Sequence, residues 1–167
     1  MPRITRIQAF QVDLPLHEGS YKWSGGKSVE VFDSTVLEVQ TAEGITGYGL
    51  GAGGTVSAEI IGGHLRHLLI GANPLNIELL WDQMYTSANA YGRRGVFVMA
   101  LSGVDNALWD ILGKYSGQPV YRLLGGTTKE KIPAYFTSMR PEEGLPLGFQ
   151  HFKMPIRDGV AEGRKGM

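Results

Sequence analysis

From Arg3 to Leu14 (RITRIQAFQVDL) apolar and polar positions alternate, which predicts a strand with Ile4, Ile7, Phe10, Val12 and Leu14 as its buried set. The pattern lapses over 15–28 (PLHEGSYKWSGGKS), where Pro, Gly, Ser and aromatic residues gather and a loop is expected. Residues 30–40 (EVFDSTVLEVQ) alternate again, Thr41-Ala42-Glu43-Gly44 has the composition of a hairpin turn, and 45–49 (ITGYG) return as a third strand. A three-stranded antiparallel meander follows from this order.

After Gly54 the period changes. Apolar residues recur at three- and four-residue spacings over 56–70, 75–90 and 95–115, as in amphipathic helices. Pro74 is placed at the start of the second helix, where its missing N–H costs nothing, and Gly117 and Pro119 stop the third. Within that third helix Val104, Leu108, Trp109, Ile111 and Leu112 form a core stripe. Strands first and helices second is the order of an α+β domain.

The composition shifts once more at Val120-Tyr121-Arg122-Leu123-Leu124-Gly125-Gly126. Beyond it, 131–138 (KIPAYFTS) and 149–154 (FQHFKM) read as two further strands, joined by a short loop or helical turn around Arg140 to Leu147. Two strands cannot bury both faces by themselves. The charged, Gly-rich stretch from Arg157 to Met167 has no core to join, so the fold is expected to run on past it. The expected domains are 1–126, a meander topped by a helical bundle, and 127–167, two strands of a larger sheet.

Composition narrows the classes of function. Lys plus Arg and Asp plus Glu both total 16, and this balance gives no sign of a nucleic-acid or membrane-surface partner. With no cysteine in these 167 residues, disulfides, thiolate catalysis and Cys-ligated metals are excluded here, and the reducing cytoplasm is the expected location. No signal-peptide core follows Met1, and no unbroken apolar run reaches the ~18 residues of a membrane span. Glycine is the anomaly: there are 24, several in pairs, which points to tight corners and close backbone approach.

Four stretches together resemble the mandelate racemase and muconate-lactonizing branch of the enolase superfamily. They are Ile4-Thr5-Arg6-Ile7 with the Leu14-Pro15 loop, the hairpin Gly44-Ile45-Thr46-Gly47-Tyr48-Gly49, residues 104–126 (VDNALWDILGKYSGQPVYRLLGG), and Gly148-Phe149 through Lys153-Met154-Pro155. The resemblance implies an enolase-like N-terminal capping domain over 1–126. It implies that 127–167 hold the first two strands of a TIM-type (β/α) barrel, truncated here. A whole barrel takes ~250 residues.

The same resemblance implies chemistry. In this family a Mg²⁺ ion held by carboxylates on later barrel strands stabilises the enediolate formed when a base removes the proton next to a substrate carboxylate. Those carboxylates fall beyond the second strand, so no metal ligand is assigned in this chain. Many members carry Lys-x-Lys at the end of the second strand. Here Lys153 matches the first lysine and Pro155 replaces the second, and proline cannot move a proton.

That departure argues against a two-base racemase and resembles rhamnonate-dehydratase-like members, in which Lys153 would meet the substrate carboxylate or its developing charge. The expected reaction is that of a hydro-lyase: an acid-sugar dehydratase. A racemase, epimerase or cycloisomerase is the runner-up, and a catalytically inert fragment acting only in assembly is the alternative of another class. The 167 residues alone are expected to be inactive, and the full-length enzyme is expected to be a homo-oligomer acting on a small sugar acid.

Four residues of the first capping loop are substrate-binding candidates: His17 and Tyr21 for hydroxyls, Lys22 for a carboxylate and Trp23 to exclude water. A solvated loop pinned by Trp23 is the equal alternative. Gly51-Ala52-Gly53-Gly54 would form the second capping loop, and Leu50 stands where the family often has Glu. Asp105 and Asp110, five residues apart, lie on different helix faces, so a solvated or interface role is preferred to a metal site. His151 reads as a packed or structural histidine rather than a base. Arg93-Arg94 reads as an anion site or, preferably, as a surface pair, although helix polarity there disfavours cations.

Overall fold

The computed structural model describes residues 1–16, 21–22, 28–29 and 31–154. They divide between two compact units, one of Met1–Pro15 with Val31–Gly126 and one of Leu16–Glu30 with Thr127–Met167. In the first unit β1 (Ile4–Pro15) precedes two short strands of the second, β2 (Tyr21–Lys22) and β3 (Ser28–Val29), which pair antiparallel. The first unit continues with β4 (Val31–Thr41) and β5 (Thr46–Gly51), in the antiparallel order β1-β4-β5. The turn between β4 and β5 closes on a Gly44 N–H to Thr41 C=O bond of 3.1 Å, with Gly44 at φ +83°.

Strand pleating corrects the expected buried set of β1. Ile7, Ala9, Gln11 and Asp13 share one face, opposite Val39, Leu37, Thr35 and Asp33, while Phe10, Val12 and Leu14 share the other, opposite Val36, Ser34 and Phe32. Ile7 and Phe10 therefore cannot point the same way. Ile4 and Ile7 are buried, whereas Phe10 and Leu14 are about half exposed (48% and 49%). A register shift between Ile4 and Arg6 lets Ile4 join the core.

Helices cover the inner face. α1 (Gly54–Ile60), a π-helical turn (Ile61–Leu65) and α2 (Arg66–Leu69) run on as one rod. The Gly62-Gly63 pair falls inside the π turn and not at a corner. Pro74 lies before α3 (Ile77–Ser87), not in it. Asn73 Oδ1 takes the Leu75 N–H at 3.0 Å, so Asn73-Pro74-Leu75-Asn76 is a turn with proline in its second place.

The long helix α4 (Val96–Ser116) carries the core through Phe97, Leu101, Val104, Leu108 and Ile111, which meet Leu37, Val39, Ile61, Leu65 and Met84. Of the expected stripe, Val104, Leu108 and Ile111 are fully buried, and Trp109 and Leu112 are partly so. By length and mean hydropathy (1.3) α4 is apolar enough to cross a bilayer, but its apolar face is spent on this core. Gly117, at φ +63°, ends it, and α5 (Val120–Leu123) follows.

Close approach explains part of the glycine content. Gly47, Gly49 and Gly51 all face α4 from β5. A Cβ at Gly49 would come within 1.9 Å of the Gly103 carbonyl oxygen, and one at Gly47 within 2.2 Å of the Ala107 oxygen. Helix and strand backbones thus touch along Gly103 and Ala107, one helical turn apart.

In the second unit β6 (Phe136–Thr137) and β7 (Phe152–Lys153) pair parallel, linked through a 3₁₀ turn at Pro141–Gly144. The strands expected over 131–138 and 149–154 shrink to these pairs because the flanking residues have no ladder partner among the described residues. Gly144 sits against the Phe136 and Phe152 rings, where a Cβ would come within 2.9 Å of both.

Candidate functional site

Lys153 closes β7 opposite Thr137, and its backbone carbonyl accepts the Ser138 N–H at 3.2 Å. Its ammonium lies 5.8 Å from the centre of the Tyr135 ring, a cation–π distance, and forms no ion pair among the described residues. An exposed, unpaired lysine at the C-terminal end of a parallel strand is free to meet an incoming anion. His151 departs from its expected packing: its side chain is exposed, and only its carbonyl is used, by the Phe136 N–H at 2.9 Å.

Of the loop candidates, His17 and Trp23 lie outside the described residues, as does Pro155. Tyr21 and Lys22 form β2, in register with Val29 and Ser28, and only their backbone is described. Residues 51–54, expected as the second capping loop, are anchored within the first unit. The inner face of β1 and β4 turns polar beyond the core, and these polar groups tie down 51–54 and the start of α1. Thr35 Oγ1 donates to the Gly54 carbonyl at 2.9 Å, and Gln11 Oε1 accepts the Thr55 N–H at 3.0 Å as well as its hydroxyl. Gly53 and Gly54 both take positive φ (+92° and +52°), so the loop needs its glycines for conformation as well as for room. Leu50 lies on the outer face of the sheet, 59% exposed, opposite Val36.

A further pocket, of about 430 Å³, lies in the first unit and is lined by Tyr85, Asn89, Ala90, Tyr91, Arg93 and Arg94. Behind it runs a hydrogen-bond chain. The Tyr91 hydroxyl meets His64 Nδ1 at 2.7 Å, His64 Nε2 meets Ser87 Oγ at 2.7 Å, and Ser87 donates to the Met84 carbonyl at 2.7 Å. The Met84 carbonyl can only accept, so Ser87 donates to it and accepts from His64 Nε2; with a single ring proton on Nε2, Nδ1 accepts from Tyr91. Of this pocket the sequence singled out only the arginines. His64 and Ser87 are separated by 23 residues, and no local spacing connects them.

The two aspartates part company. Asp110 accepts the Tyr48 N–H and the Lys114 ammonium, an interface role between α4 and β5. Asp105 is half-buried, and burial first, then the charge of Glu78, holds its carboxyl above the ordinary 3.8. Among the described residues no three His, Asp or Glu side chains gather to hold a metal ion. These described residues do not fit a resident divalent cation.

Residues 24–125 match the family model of the mandelate racemase / muconate lactonizing enzyme N-terminal domain. The chain belongs to that family. Its α+β unit is the enolase-superfamily capping fold, and its parallel pair matches the start of a barrel. Among relatives of this chain, a protein of Caldivirga maquilingensis named "Putative L-rhamnonate dehydratase" is 41% identical over 139 residues, covering 83% of this chain and 35% of that protein. The crystal structure of L-rhamnonate dehydratase from Gibberella zeae superposes with a TM-score of 0.83 at 33% identity, over 99% of this chain and 45% of the other. A racemase from Streptomyces coelicolor A3(2) with bound magnesium also scores 0.83, at 27% identity, over 95% of this chain and 48% of the other. The chain thus spans about a third to a half of the length of the relatives it matches.

Proposed function

We propose that this chain is the capping domain and barrel opening of a magnesium-dependent acid-sugar dehydratase. The observation that carries the reading is the 41% identity to the Caldivirga protein over most of the chain. In the proposed reaction a base removes the proton next to the substrate carboxylate, and the neighbouring hydroxyl leaves as water. The resulting enol tautomerises to a 3-deoxy-2-keto acid. Lys153, unpaired among the described residues at a parallel-strand end, would hold the carboxylate and the charge developing on it. The Gly51–Gly54 loop would cover the substrate, with His17, Tyr21, Lys22 and Trp23 of the first capping loop selecting it.

Magnesium, in this reading, is bound by residues other than those described. A small sugar acid as substrate, a homo-oligomeric assembly and a cytoplasmic location belong to the same proposal. The test is turnover of a panel of sugar acids with Mg²⁺ by the protein purified from its own cells, read as formation of 3-deoxy-2-keto acid.

A racemase or epimerase is the second reading, favoured by the equal structural match to the Streptomyces protein. Pro155, in place of a second lysine, weighs against it. Inversion next to the carboxylate without loss of water, in the same panel, would select it.

A further inference from the structure

Arg93 and Arg94 make no ion pair and no side-chain hydrogen bond among the described residues, yet both line the 430 Å³ pocket of the first unit. No carboxylate shares that lining. Two adjacent cations repel each other, and an anion between them relieves the repulsion.

The walls are held in place. Gly92 is buried, and its N–H bonds the Ala88 carbonyl; a Cβ there would meet Ala88 Cβ and the Phe97 ring at 2.6 Å. Tyr91 is fixed by His64 at 2.7 Å and by edge-on contact with Phe97, ring centres 5.9 Å apart. Tyr85 stacks on Trp81 with centres 5.0 Å apart and planes 15° from parallel. A site assembled before its ligand arrives spends less on ordering.

The lining also has a defined chemistry. The guanidinium groups donate in a fork that matches a carboxylate or a phosphate. The Tyr91 hydroxyl, hydrogen-bonded to His64, keeps a lone pair free to accept, and the Asn89 amide both donates and accepts. We propose that this pocket binds the oxyanion of a small hydroxylated molecule. Arg93 and Arg94 hold the carboxylate or phosphate, and Tyr91 and Asn89 take the hydroxyls. The inference rests on this pocket alone and stands whichever reaction the family relationship delivers.

The experiment is calorimetric titration of the 167-residue chain with gluconate, inorganic phosphate and neutral glucitol, with amide NMR to locate the response. Saturable binding of an anion is expected, with shifts at Asn89, Tyr91 and Arg93. The double variant Arg93→Gln, Arg94→Gln should weaken it about tenfold or more, while Arg122→Gln, outside the pocket, leaves it unchanged. Preference for gluconate assigns the oxyanion to a sugar carboxylate, and preference for phosphate assigns it to a phosphate ester; both uphold the site. The charge-keeping variant Arg93→Lys, Arg94→Lys, with its thermal melt, carries the test if the Gln variant does not fold. Equal binding of glucitol would overturn the proposal, as would no saturation by either anion. So would self-association that the double variant abolishes without any anion binding, which would give the surface to a second copy.

Discussion

The carboxylate of Asp110 accepts the backbone N–H of Tyr48 at 2.8 Å, so a side chain of α4 seals the free edge of the sheet. The edge strand β5 would otherwise present that N–H to any passing strand. Lys114 braces the same carboxylate at 2.7 Å, donates to the Thr46 carbonyl at 2.7 Å, and lies 4.9 Å from the centre of the Tyr48 ring. An aspartate that the sequence leaves between solvated and interfacial roles is therefore a clasp between helix and strand.

Asp110→Ala should lower stability by about 1–2 kcal/mol, a charge-assisted bond discounted for its partial exposure. Lys114→Ala should cost less, because the Tyr48 bond survives it. Urea unfolding of both variants checks this. Equal losses would mean that only the ion pair matters.

Gly49→Ala should be far more damaging, because its Cβ would sit 1.9 Å from a backbone oxygen that cannot move aside. A loss of about 3 kcal/mol or more is expected, or no cooperative fold at all. Gly62→Ala is the contrast. Its Cβ meets nothing within 4 Å, and a gain of about 0.5–1 kcal/mol is expected from helix propensity. Comparable melting temperatures for the two variants would refute the close helix–strand contact.

Asp105 gives a pH dependence whose sign is fixed. Its carboxyl titrates above 3.8 in the folded chain, so between 3.8 and the raised value the folded state binds more protons than the unfolded one. Its contribution to stability is fully present below 3.8 and is lost as pH rises through the raised value. Asp105→Asn should therefore be more stable than the parent at neutral pH, with the advantage fading as pH falls through the raised value and gone below 3.8. Glu78→Gln should give a smaller gain of the same sign, since its charge is the lesser cause. Denaturation curves across acidic and neutral pH would expose the opposite trend if it exists.

Lys153→Ala in the protein from its own cells should lower kcat/KM on a sugar acid by about a hundredfold, with Lys153→Arg partly restoring it. A value within threefold or so of the parent would leave Lys153 a surface lysine stacked on Tyr135. The 167-residue chain alone should give no dehydration. Turnover by it would mean that a complete site lies within these residues.

Much of this architecture is legible in the sequence because period and order are local. The meander, the three helical stretches and the Gly44 turn all follow from spacing. What escapes is parity and distance. Counting apolar residues along β1 placed Ile7 and Phe10 together, although the pleat sends them to opposite faces. The alternating glycines of β5 do not say what they face until Gly103 and Ala107 are set against them from more than 50 residues away. The chain from Tyr91 through His64 to Ser87 likewise joins positions no local pattern connects. Lys153 was found only by its place in a family motif, since a single lysine beside an aromatic residue carries no signal of its own.

The most direct measurement is a proton NMR time course of L-rhamnonate with Mg²⁺ and the protein purified from its own cells. New methylene signals at C3, the mark of a 3-deoxy-2-keto acid, are expected. Inversion or exchange at C2 with every hydroxyl retained would contradict it.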